Sequence, residues 1–208
     1  MHRRALQLCF SLATAIAVGT AVPSALRAEG PPAAVIVFDG SGSIWGELGV
    51  EKRSKFDIAR ELLKVSIAKS AKESRIGLMA FGHRRKGDCS DVEMVVPPDA
   101  GAPERFNAPL DKLNPKGKGP VVLAMREAHK ALAASSGPAS IVIVHDGPDN
   151  CGQDPCLAAA ELAKANPRIR IHLIGLGLER ADAQKLSCVP RLTGGKMFEA
   201  NDTPTAGV

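Results

Sequence analysis

The chain has 208 residues, 27 basic and 22 acidic side chains, and a formal net charge of +5. One tryptophan, six phenylalanines and no tyrosine give little surface on which bases can stack, and no strongly basic domain accompanies them. Nucleic-acid binding is disfavoured on both counts, and only the N-terminus raises the question of a membrane span.

That N-terminus opens with His2-Arg3-Arg4, continues through an apolar or small-residue run over 5–22, and breaks at Pro23. Ala28-Glu29 offers a small-residue cleavage point, so residues 1–28 read as a secretory signal peptide, with a membrane anchor as the competing reading. Removing them deletes Arg3, Arg4 and Arg27 but no acid, so 24 basic and 22 acidic residues leave +2. The expected product is a periplasmic or secreted bacterial protein with one domain over 33–203 and a short tail over 204–208. Cys89, Cys151, Cys156 and Cys188 stay in that product, an even number that reads as two disulfides. Zinc is the weaker reading, because no pair is a C-x-x-C and no histidine pair lies nearby. The short spacing favours Cys151 with Cys156, leaving Cys89 with Cys188, while the other two pairings stay open.

The first element of the domain is the run Val35-Ile36-Val37-Phe38, a strand buried on both faces that ends in Asp39-Gly40-Ser41-Gly42-Ser43. Phe56, Ala59, Leu63 and Ile67 then recur at helical spacing, predicting a helix over 55–70. Arg75 to Phe81 and Asp91 to Val96 read as two strands joined through Gly87-Asp88, antiparallel at a sheet edge and ended by Pro97-Pro98. A short helix over 103–113 and the breaker-rich loop 114–120 precede a helix over 121–134. Ser140 to His145 is a second buried run, and Asp146-Gly147 follows it. A helix over 155–165, a strand over 169–176, a polar helix over 180–192 capped by Gly194-Gly195, and a last strand over 196–199 complete the order. The alternation predicts an α/β fold, a doubly wound, mostly parallel sheet with one antiparallel edge strand and helices on both faces.

Such sheets place ligand sites at the carboxyl ends of their strands, and both Asp39 and Asp146 fall there. One carboxylate and two hydroxyls at Asp-x-Ser-x-Ser spacing suit a hard cation rather than a soft metal. The motif at the end of a buried strand, followed by a later strand ending in Asp146-Gly147, resembles the von Willebrand factor type A family. The resemblance extends from about Ala34 to Asp202 and includes Ser41 to Gly46, Phe81 to Cys89 and Asn150 to Cys156. It implies a metal-ion-dependent adhesion site in which Asp39, Ser41 and Ser43 hold a divalent cation, with Asp146 bound directly or through water. Mg²⁺ is the first expectation, with Ca²⁺ or Mn²⁺ as substitutes, and the implied partner is a protein presenting an acidic group. The family pattern has a threonine where this chain has Gly119, which makes the site degenerate.

His83, Arg84, Arg85 and Lys86 read as a partner-binding rim on the same edge, or else as a solvated charge run. Trp45 is expected to pack on neighbouring helices rather than anchor a partner. Catalytic readings are weaker. There is no Gly-x-Ser-x-Gly elbow, no dinucleotide fingerprint and no phosphate loop. The expectation is a non-enzymatic interaction domain. Its alternatives are a metal-independent scaffold and a metal-dependent hydrolase with His83 or Asp149 as base.

Overall fold

In β1 (Ala33–Asp39) all residues but one are buried, because the strand lies between two parallel neighbours. These are β4 (Arg75–Phe81) and β6 (Ala139–His145), with Val37 in register with Met79 on one side and Ile143 on the other. The computed structural model describes residues 29–71 and 73–200. The expected leader, 1–28, and the tail, 204–208, lie outside the described residues. A six-stranded sheet has the order β5-β4-β1-β6-β7-β8, with β5 (Val92–Asp99), β7 (Ile169–Leu176) and β8 (Met197–Ala200). All pairs are parallel except β4 with β5, the antiparallel edge.

Side chains alternate across β1, so Val35 and Val37 enter one core while Ile36 and Phe38 enter another. The first core is covered by α3 (Val121–Leu132) and α4 (Pro155–Ala165), through Met125, Leu132 and Ala159. The second is covered by α1 (Lys55–Ser70), through the predicted stripe Phe56, Ala59, Leu63 and Ile67, and by α2 (Asn107–Lys112). Removing a side chain such as Phe38 from water contributes about 2–3 kcal/mol. Ser54 caps α1 by accepting the Asp57 N–H at 3.1 Å, and its hydroxyl donates to the Asp57 carboxylate at 2.7 Å.

Three expectations need correction, and one small element is additional to them. β5 does not stop at Pro97-Pro98 but continues to Asp99, with register shifts opposite Ile76–Met79. As an edge strand it needs no N–H on its outer side, and Gly77 makes room: a Cβ there would meet Pro98 N at 2.9 Å. The single helix over 180–192 is two, α5 (Arg180–Leu186) and α6 (Cys188–Thr193), separated at Ser187 and closed by Gly194 at φ 70°. A two-residue ribbon, β2 (Glu47–Leu48) with β3 (Arg53–Ser54), separates β1 from α1. The favoured disulfide pairing is replaced by Cys89–Cys151 and Cys156–Cys188. Asp154 caps α4 by accepting the Cys156 and Leu157 N–H groups, which fixes Cys156 in the first helical turn against α6, while Cys151 belongs to the preceding loop.

Candidate functional site

β1 and β6 are adjacent and parallel, so the residues leaving their carboxyl ends meet. Asp39 Oδ1 accepts the Ser41 N–H at 2.6 Å, and Asp39 Oδ2 lies 3.5 Å from the Asp146 N–H. The Ser41 and Ser43 hydroxyls are 3.0 Å apart, and Ser43 Oγ donates to Asp146 Oδ1 at 2.8 Å. Two carboxylates and two hydroxyls thus form one chain of oxygens. Asp39 and Ser41 are buried at its floor, and Ser43 is exposed at its mouth.

Burial pushes the Asp39 carboxyl up from 3.8 to about 7. The Ser41 side chain works against that shift, the Asp146 charge adds to it, and the N–H groups of Ser41 and Asp146 oppose it. An ionised Asp39 is therefore short of positive charge. The donor set fits a hard divalent cation, being all oxygen and including one buried carboxylate that such an ion would relieve. Among the described residues no three His, Cys, Asp or Glu side chains converge as a metal-binding group, so any ligation here relies on the two hydroxyls as well as the two carboxylates.

Backbone contacts hold the surrounding loops. Gly42 N donates to Gly117 O at 3.1 Å, Lys116 N to Gly40 O at 3.0 Å, and Gly117 N to Gly82 O at 2.7 Å. Gly82 has φ +67°, and any side chain on it would strike the Lys118 carbonyl, so glycine is needed where these loops cross. Gly119 N donates to Asn150 Oδ1 at 2.8 Å, and Val122 N to Asp149 Oδ2 at 3.0 Å. Asp149, from the loop after β6, thereby caps α3, and Asn150 holds Gly119, the residue before its N-cap Pro120.

Comparison with known proteins places this arrangement. Residues 34–148 match the von Willebrand factor type A domain, more than half of the chain. The chain belongs to the von Willebrand factor type A domain family. It is 26% identical over 196 residues to the uncharacterized protein YwmD of Bacillus subtilis, covering 89% of this chain and 87% of that one. Its fold is similar to that of a von Willebrand factor type A structure from Catenulispora acidiphila, with TM-score 0.65 and 18% identity over 85% of this chain and 40% of the other. It is also similar to proximal thread matrix protein 1 from the mussel byssus, described with a zinc-occupied MIDAS motif, with TM-score 0.63 and 14% identity over 86% of this chain. This chain spans 43% of the mussel protein, and at such identities the likeness is one of fold.

In this type A domain the expected rim is tied into its own hairpin. Asp91, fully buried, accepts the N–H groups of Arg84 and Arg85 and the Arg84 Nε–H. Burial works to raise its carboxyl, but these hydrogen bonds and the Arg84 charge outweigh it and hold the pKa below the usual carboxylate range. Arg85 pairs with Asp88 at 2.9 Å, and His83 Nε2 lies 2.9 Å from Glu93. Lys86 is exposed.

Trp45 packs as expected, 5.1 Å from the Phe56 ring, and its indole N–H donates to Pro115 O at 2.9 Å, yet it stays 47% exposed. His83 and Asp149, the two general-base candidates, are held by Glu93 and by the caps of α3. His145 is fully buried, and burial lowers its pKa from 6.5 to about 4 against the opposing pull of the Gly147 backbone and the Asp146 charge. Sequence reasoning missed Lys55, whose Nζ donates to Asp146 Oδ2 at 3.2 Å. Its only sequence signal is a cation at the first position of a helix, where the macrodipole disfavours it.

Proposed function

We propose that this protein is an exported interaction domain of the von Willebrand factor type A kind, carrying a degenerate divalent-cation site. The extent is 33–203, after removal of 1–28 and with 204–208 as a tail. Two disulfides support an oxidising, periplasmic or secreted setting. Among the described residues no helix is long and apolar enough to cross a membrane.

The observation that carries the reading is the oxygen chain from Asp39 through Ser41 and Ser43 to Asp146, drawn from two neighbouring strands. Asp39, Ser41 and Ser43 would hold Mg²⁺, or Ca²⁺ or Mn²⁺ in its place, with Asp146 direct or through water. Bound there, the ion supplies an electron-poor position open to a carboxylate from a protein partner, because the hydroxyl ligands are neutral. Such recognition breaks no bond, and the reading is non-enzymatic. The zinc-occupied motif described for the mussel protein supports cation binding on this fold. His83, Arg84, Arg85 and Lys86 border the site in this reading, with Arg84 and Arg85 drawn into ion pairs of the hairpin and Lys86 exposed.

Isothermal titration with Mg²⁺, Mn²⁺ and Ca²⁺ tests it. The wild type should give a saturable signal that Asp39→Ala abolishes, and flat traces from both proteins would refute the site. A metal-independent scaffold is the second reading. It is favoured by Gly119, which offers no hydroxyl where the family pattern has threonine, and by hydrogen bonds that already link the serines and Asp146.

A further inference from the structure

Lys55 opens α1, yet its side chain is only 15% exposed and its ammonium lies against Asp146, whose side chain is 3% exposed. A helix N-terminus repels a cation, so helix preference does not explain the placement. The surroundings do. The end of the side chain runs between the loop after β1 and the loop after β7: a Cβ built on Gly46 would lie 3.6 Å from Lys55 Cε, and one on Gly177 3.3 Å from it. The backbone holds the position too, since Lys55 N donates to Gly46 O at 2.8 Å. Asp146 divides its two oxygens, with Oδ1 accepting from Ser43 and Oδ2 from Lys55.

We propose that Lys55 is a built-in monovalent cation of the site, neutralising Asp146 when no metal is bound and yielding that carboxylate oxygen when one enters. The inference rests on reading the oxygen chain as a cation site. The Lys55 ammonium offsets one negative charge where the two carboxyl groups meet. An entering divalent ion meets a weaker field and must displace a hydrogen bond. Lys55 thereby sets the cation affinity low and keeps the loops assembled without metal.

The test uses MnCl₂ titrations of the full exported protein, read by the loss of the free Mn²⁺ paramagnetic signal, on wild type, Lys55→Met and Lys55→Arg. Lys55→Met should bind Mn²⁺ roughly tenfold more tightly than wild type, equivalent to about 1.4 kcal/mol. Lys55→Arg should stay near wild type. In chelator Lys55→Met should melt below wild type, and Mn²⁺ should reverse the deficit.

A second measurement needs no variant. Amine acetylation of the wild type, mapped by mass spectrometry, should modify Lys55 slowly in chelator and several-fold faster in saturating Mg²⁺. If wild type binds Mn²⁺ but Lys55→Met binds no more tightly, or if Lys55 acetylation ignores saturating Mg²⁺, the lysine proposal falls and the cation site stands. If none of the three proteins binds Mn²⁺, both fall.

Discussion

Asp39 is held by opposing demands. The strand that carries it is buried on both faces, which penalises its charge, while Ser41 and Asp146 aim N–H groups at it. Its folded pKa of about 7 lies above the unfolded 3.8, so the folded state holds a proton that the unfolded chain releases earlier. The stability tied to that proton is fully present below 3.8 and is lost as pH rises through about 7. His145 has the opposite sign. Its folded pKa of about 4 lies below 6.5, so its contribution is present above 6.5 and is lost as pH falls through about 4. The two slopes oppose one another between these limits. Asp39→Asn removes one of them. In chelator its stability relative to wild type should grow by about 1 kcal/mol from about pH 6 to about pH 8. Urea melts at the two pH values check this, and a constant difference would show that Asp39 carries no such burden. That Asp39, Ser41, Ser43 and Asp146 meet was legible because oxygen-bearing residues end two apolar runs. Lys55 was not, since only the crossing of β1 and β7 loops brings it to Asp146.

At the scale of elements, β4 and the alternating β7 match their expected bounds at both ends, and β1 and β6 extend their expected apolar runs by one or two residues. Sequence reasoning failed where local chemistry is permissive. Pro97 and Pro98 are tolerated because β5 is an edge, whereas Pro190, three residues past Ser187, has no N–H to donate back to Leu186 and so divides α5 from α6. For the proposed cation site, the loop before α3 is the element that would set the degree of degeneracy. Gly119 does not have the positive φ that would demand glycine, and the nearest atoms a Cβ there would meet belong to the Asn150 side chain, at 3.8 Å. A threonine therefore fits without moving the cap on α3. Gly119→Thr should tighten Mg²⁺ binding roughly tenfold by returning a hydroxyl to the edge. Titration calorimetry beside wild type measures it, and an unchanged affinity would mean that this loop does not face the ion.

For the whole molecule, the two disulfides divide the labour, and their pairing could not be read from spacing. Cys151 and Cys156 are near in sequence but belong to different structures, a capping loop and the first turn of α4. The Cys89–Cys151 bridge spans 62 residues and joins the hairpin loop between β4 and β5 to the loop after β6, which carries Asp146, Asp149 and Asn150. The Cys156–Cys188 bridge spans 32 residues and joins α4 to α6, neither of which supplies a site residue. Loop-closure entropy changes slowly with length, so each bridge stabilises the fold by a similar amount, about 4 kcal/mol at most. Their effects on the site should nevertheless differ. The Cys89→Ser/Cys151→Ser double variant frees the loop after β6, so it should lose about 2–4 kcal/mol of stability and also bind Mn²⁺ more weakly. The Cys156→Ser/Cys188→Ser double variant should lose similar stability while its Mn²⁺ affinity stays at the wild-type value. Denaturant melts and Mn²⁺ titrations on both variants, at a temperature where each is folded, separate the two effects. Equal affinities in the two variants would show that the oxygen chain is held by the sheet and the glycine crossings alone.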